Sequence, residues 1–171
     1  MKKITRILAP TDLSDLSCLG IRYALELARE QSAEIIVLHV IPIGEDWLST
    51  REESTPVRDL MAKERAALDS FLQEKFAEFL NLVELRQRVE VGAAHSNIVE
   101  LAEREGADLI VMSTHGRTGL DHMLMGSVTE KVVARSLCPV LSIPAMSRRK
   151  ESAKAACRAR GRPRDGRRHA R

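Results

Sequence analysis

Apolar residues along this chain follow two alternating rhythms, short unbroken runs and longer stretches at helical spacing. ITRILAP, residues 4–10, is a short run with Ile4, Ile7 and Leu8 as its apolar members, and it predicts a strand. After TDLSD, whose residues suit a helix start, Leu16, Leu19, Tyr23, Ala24, Leu27 and Ala28 recur as one helical face. AEIIVLHVIP, residues 33–42, is a β-branched run closed by Pro42 and predicts a buried strand. Beyond a polar stretch reaching Thr55, Pro56 is placed to open a long helix. Met61, Leu68, Phe71, Leu72, Phe76 and Phe79 form its apolar face.

VELRQRVEVG, residues 83–92, alternates Val83, Leu85, Val89 and Val91 with charged residues, the pattern of a sheet-edge strand. SNIVELAEREG predicts a short helix that Gly106 ends. ADLIVMS, residues 107–113, reads as a buried strand. GSVTEKVVARS reads as a helix with Val128, Val132 and Val133 on one face. Ser127 and Glu130 have the spacing of a capping box, in which the serine would cap the helix start. CPVLSIP, residues 138–144, is the last strand. Strands and helices alternate throughout, which implies an α/β fold around a parallel sheet with right-handed crossovers.

At 171 residues the chain suits a single domain with a sizeable core. No run approaches the roughly 18 to 20 apolar residues that span a bilayer. The start, MKKITRILAPTD, has no signal-peptide core, so a cytoplasmic location without membrane insertion is expected. Cys18, Cys138 and Cys157 are odd in number and widely spaced, which suits a reducing compartment and not a disulfide framework or zinc site. The net charge of +3 divides into +9 from Met146 onward and −6 for the rest. Lacking large apolar residues, this basic tail is expected to be disordered. Its Arg160-Gly161-Arg162-Pro163 resembles the core of an AT-hook. So short a match arises readily by chance in an arginine-rich segment, and nonspecific attraction to polyanions, or no role, is preferred over specific DNA binding.

Chemistry concentrates in STHGRTGLDHMLMGSVTEKV, residues 113–132, where Ser113, Gly116, Gly119 and Gly126 lie between a predicted strand and a predicted helix. Glycine weakens either element by roughly 0.5–1 kcal/mol, so such a cluster suggests backbone that something approaches closely. A strand, a glycine-containing loop and a helix start together present free N–H groups and the positive end of a helix dipole to an anion. Phosphate is the expected visitor. In open α/β sheets ligands bind beyond the carboxyl ends of the strands, where the winding reverses. With the first strand beside the fourth, APTDLS and STHGRTG meet there, placing Asp12 for a ribose or base and the glycine loop for phosphates. Neither a G-x-x-x-x-G-K-[ST] nor a G-x-G-x-x-G signature is present. His115, Asp121 and His122 read as loop and surface residues, because no second ligand pair has metal-site spacing. His39 reads as a packed histidine, and Cys138 has no acid–base pair nearby to make it a nucleophile.

Over residues 2–144 the chain resembles the universal stress protein family, through ILAPTDLS, IIVLHVIP, ADLIVMSTHGRTGL, LMGSVTEKVV and CPVLSIP in family order. The resemblance implies an open five-stranded parallel sheet in the order 3-2-1-4-5 with helices on both faces, Rossmann-like and similar to the adenine nucleotide alpha hydrolases. It also implies a family domain over residues 1–145, ahead of the tail at 146–171, and a homodimer through the last strand, 138–144. The family's ATP-binding branch has the pattern G-x2-G-x9-G-[ST], which maps onto Ser113, Gly116, Gly126 and Ser127, with serine replacing the first glycine. Carried over by position, it places Pro10, Thr11 and Asp12 on the base and ribose side, and Val40 at the base through its backbone. Gly116, Arg117, Gly126, Ser127, Val128 and Thr129 surround the phosphates, with Gly119 in the same loop. Magnesium or manganese would bridge the phosphates, with water supplying most ligands. The function implied is a cytoplasmic stress-response protein that binds ATP and acts as a nucleotide-dependent regulatory module on an unknown protein partner. A slow ATP hydrolase using the same pocket and a nucleotide-free dimeric stress protein are the alternatives. Hydrolysis needs a group to position water, and the loop offers no evident carboxylate base, so binding without meaningful turnover is favoured, with weak ATPase activity at most.

Overall fold

The computed structural model describes residues 3–42, 57–114 and 125–144. Among them, strands and helices alternate without exception: β1 (Arg6–Thr11), α1 (Cys18–Gln31), β2 (Glu34–Ile41), α2 (Val57–Phe76), β3 (Leu85–Val91), α3 (Ala94–Glu105), β4 (Leu109–Ser113), α4 (Ser127–Arg135) and β5 (Val140–Ile143). The strands form one parallel sheet in the order β3-β2-β1-β4-β5. The predicted fold class is therefore observed. β1 pairs with β2 from Arg6↔Glu34 to Thr11↔His39, and with β4 at Ile7↔Leu109 and Leu8↔Ile110.

Strand alternation divides the core in two. Ile7, Ala9, Ile35, Val37, Val89 and Val111 face α1 and α2, packing with Ile21, Leu25, Leu68, Leu72 and Phe76. Leu8, Ile36, Leu38, Ile110 and Met112 face α3 and α4, packing with Ile98, Leu101 and Val132. Val83, Leu85 and Val91 pack partly buried around Val89, as edge-strand alternation predicts. Gly106, at φ +63, closes α3 in the left-handed conformation, its N–H reaching Ala102 O and Glu103 O.

Three expectations require correction. On α1, Tyr23 is 46% exposed, whereas Ile21 and Leu25 are fully buried. The buried face is rotated because Gly20 sits against β4, where a Cβ would come within 2.7 Å of the Ser113 nitrogen. On α4, Val128 and Val133 are exposed and the buried face is Thr129 and Val132. Thr129 Oγ1 donates to Ser113 O at 3.1 Å and sets that rotation. The capping box does not form: Gly126 occupies the N-cap position, extended at φ −71, ψ 154, and Ser127 is the first helical residue. Gly126 N donates to Thr114 O at 2.7 Å, which fixes the chain one residue earlier than the serine. Phe79 lies beyond the end of α2 yet remains buried.

At the amino end of the sheet, charges interlock. Glu34 accepts from Arg6 at 2.8 Å and from Arg86, whose other nitrogen reaches Glu105 at 3.0 Å. Asp108 Oδ2 accepts from Thr5 N, Thr5 Oγ1 and Arg6 N at 2.9, 2.7 and 3.2 Å, joining the starts of β1 and β4. Burial pushes the Glu34 carboxyl up, but the hydrogen bonds from Arg6 and Arg86 and their charges together hold it below its ordinary value. Glu105 is lowered likewise, burial being outweighed by Arg86 and Arg88.

Candidate functional site

The winding reverses between β1 and β4, and a cleft of about 420 Å³ opens beyond their carboxyl ends. That volume lies within the range of about 300–1,000 Å³ usual for small-molecule sites. Pro10, Thr11, Asp12, Val40, Ser113, Gly126, Ser127, Val128 and Thr129 all line it, so these sequence-predicted residues are brought together. Gly116, Arg117 and Gly119, with His115, Asp121 and His122, lie outside the described residues. So do Pro56, Cys157 and the basic tail.

One wall is the turn after β1. Asp12 Oδ1 accepts from Ser14 N at 3.1 Å and from Ser14 Oγ at 2.6 Å. Thr11 Oγ1 pairs with Ser17 Oγ at 2.8 Å and accepts from Leu13 N at 3.0 Å. Between these bonds Leu13 is held at φ 61, a left-handed conformation that costs a non-glycine residue about 1–2 kcal/mol. The opposite wall is the start of α4. Gly126, Ser127 and Val128 line the cleft there, and the first N–H groups of any helix lack intrahelical partners. An anion would meet those amides and the positive end of the helix dipole. Leu38, Ile98 and Met112 contribute apolar surface.

Ser113 lines the cleft, but its hydroxyl is committed to α1. It accepts from Gly20 N at 3.0 Å and donates to Leu16 O at 2.8 Å. Its hydroxyl is therefore turned toward the start of α1. The role that the pattern suggested for a small residue at this position is met by packing against Gly20.

Of the lining residues outside the sequence-predicted set, two are titratable. His39, 4% exposed, is packed as expected but also borders the cleft, with Nδ1 at 2.9 Å from Thr11 O. Glu64 reaches the same cleft from α2, its Oε2 at 3.5 Å from His39 Nε2. Nothing in the pattern marks Glu64, which is one of many charged residues on a long amphipathic helix. Among the described residues no group of three or more His, Cys, Asp or Glu side chains is arranged to hold a metal ion. None of their helices is long and apolar enough to cross a membrane.

A doubly covered parallel sheet with a cleft at its winding reversal defines a small doubly wound α/β domain. The family model described as "Usp: Universal stress protein family" matches residues 3–144, and the chain belongs to that family. Universal stress protein MJ0531 of Methanocaldococcus jannaschii is 35% identical over 138 residues, covering 81% of this chain and 81% of its own. The solved structure of hypothetical protein MJ0577 from the same organism is similar at TM-score 0.74 and 29% identity, covering 85% of this chain and 99% of that one. A universal stress protein from Archaeoglobus fulgidus, solved in complex with dAMP, shares the fold at TM-score 0.56 and 23% identity, covering 83% of this chain and 99% of that one.

Proposed function

We propose that this chain binds ATP in the cleft and acts as a nucleotide-dependent regulatory module of the cytoplasmic stress response. The observation that carries this reading is the convergence of the Thr11–Asp12 turn and the start of α4 on one cleft of about 420 Å³. Asp12 takes the ribose hydroxyls, and the Val40 backbone meets the base. The Gly126–Thr129 amides hold the phosphates, with Arg117 adding a charge-assisted contact. The dAMP complex of the A. fulgidus protein supports an adenine nucleotide as the ligand class. A magnesium or manganese ion belongs on the phosphates, with water as its main ligand. Turnover is far below the ~1 to 10³ s⁻¹ of typical enzymes. The chain works as a homodimer through residues 138–144 of its edge strand, with residues 1–145 as the family domain.

Calorimetry with ATP and Mg²⁺ tests the site. Gly126 has φ −71, which valine adopts without strain, so Gly126→Val places a branched side chain in the phosphate's approach and leaves the fold intact. Binding is expected to vanish in that variant and to weaken about tenfold in Asp12→Ala, as for loss of one charged hydrogen bond. A folded Gly126→Val protein that binds ATP as tightly as the parent overturns the site. Steady phosphate release in the typical enzyme range, lost on changing Ser127, makes the protein a hydrolase instead.

A further inference from the structure

We infer that His39 is a positioning residue for the nucleotide site, acting through the Thr11–Asp12 turn. The inference rests on the ATP reading above but has its own geometry. His39 is the buried titratable side chain on the cleft, and its ring nitrogens face two different elements. A carbonyl oxygen only accepts, so the 2.9 Å contact with Thr11 O makes Nδ1 the proton-bearing donor. Nε2 is then directed at the Glu64 carboxylate at 3.5 Å, an ion-pair contact whenever the ring carries both protons. Glu64 sits on α2, and the orientation of the ring rests on the Nδ1 bond to Thr11 O.

Thr11 O belongs to the peptide that joins Thr11 to Asp12. A bond to it fixes the plane of that peptide and hence the direction in which Asp12 leaves the sheet. The turn beyond is held against its own preference. Leu13 is in the left-handed region, kept there by its N–H on Thr11 Oγ1 and by the Ser14 N–H on Asp12 Oδ1. Strain of this kind persists only where the surroundings over-determine it, and it gathers at ligand sites. The imidazole bond is the restraint that reaches the turn from β2, the strand paired with β1 at Thr11↔His39.

Three variants separate positioning from simple packing. His39→Asn keeps an N–H donor at the position of Nδ1 and gives up Glu64. His39→Gln carries its amide out to the position of Nε2, and His39→Leu has no donor. ATP affinity should fall roughly tenfold in His39→Leu and in His39→Gln, the scale of one net hydrogen bond at its upper end. In His39→Asn it should stay within about threefold of the parent. Adding His39→Leu to Asp12→Ala should cost no further affinity, because residues acting through one another are not additive. Amide hydrogen exchange at Leu13 and Ser14, followed by NMR without ligand, should quicken in the Leu and Gln variants and stay slow in Asn. Equal affinities and equal exchange in the Asn and Gln variants overturn the inference. A parent that binds no ATP overturns the nucleotide reading instead, and the exchange rates then decide the role of His39 by themselves.

Discussion

Ser113 caps the start of α1 from β4. Gly20 N is a first-turn donor with no intrahelical partner, and the Ser113 hydroxyl, 93 residues away, accepts from it while donating to Leu16 O in the turn before the helix. Replacing it with the glycine of the ATP-binding pattern removes the hydroxyl and loosens β4. Ser113→Gly should lower stability by about 1 kcal/mol in urea unfolding and leave nucleotide affinity unchanged. Ser113→Val, overpacked between β4 and Gly20, should cost about 2 kcal/mol. A gain in ATP affinity in Ser113→Gly would return the residue to the ligand. The serine was legible as a small residue at the end of a strand. Its partner was not, because a contact across 93 residues leaves no local periodicity. Glu64 and His39 were hidden for the same reason, each being ordinary within its own element.

At the scale of elements, period separates what could be read from what could not. The β-branched runs of β2 and β4 and the alternation of β3 identify strands whatever surrounds them. Helix faces are decided from outside. Val128 shares a face with Val132 by helical spacing as well as Thr129 does, and the bond from Thr129 to Ser113 O selects between them. The charged face of β3 read only as an edge feature, although Arg86 and Arg88 meet Glu34 and Glu105 in a network across β1, β2, β3 and α3. Glu34→Gln should lower stability by about 2 kcal/mol at neutral pH, within the range of hydrogen bonds to charged groups. Both carboxylates are held below their ordinary value of 4.5 in the folded protein. Their contribution is therefore complete above that value and is lost as pH falls through it toward the lowered folded values. Urea unfolding of the parent and Glu34→Gln from about pH 7 down to about pH 3 should show the difference shrink at the acid end. A difference that stays constant across that range would sink the assignment.

For the whole molecule, the strand order leaves β5 at one edge with Val140, Leu141 and Ile143 only partly covered. Leu137 just before it is 84% exposed, and Val133 on α4 is 47% exposed. An unpaired edge flanked by exposed apolar side chains suits pairing with a second copy about a two-fold axis. Leu137→Asp combined with Leu141→Pro should convert a dimer to a monomer in sedimentation at micromolar concentration, the proline removing one strand N–H. Deleting residues 146–171 should leave the dimer in place. A parent that sediments as a monomer overturns this interface, and a dimer lost only with the tail moves it there.

The central strand has a further consequence during synthesis. β1 gains β2 as soon as the first third of the chain exists, but its other side waits for β4, about a hundred residues later in register. Until then the middle of the eventual sheet is an outer rim, apolar and unpaired, open to any extended neighbour. Thr5 with Asp108, and Gly20 with Ser113, are the contacts that end this interval, spanning 103 and 93 residues. Nascent chains that stall before residue 108 are thus expected to be those most in need of a chaperone. The same two contacts that shape the finished fold also set how long the ribosome-bound chain stays vulnerable.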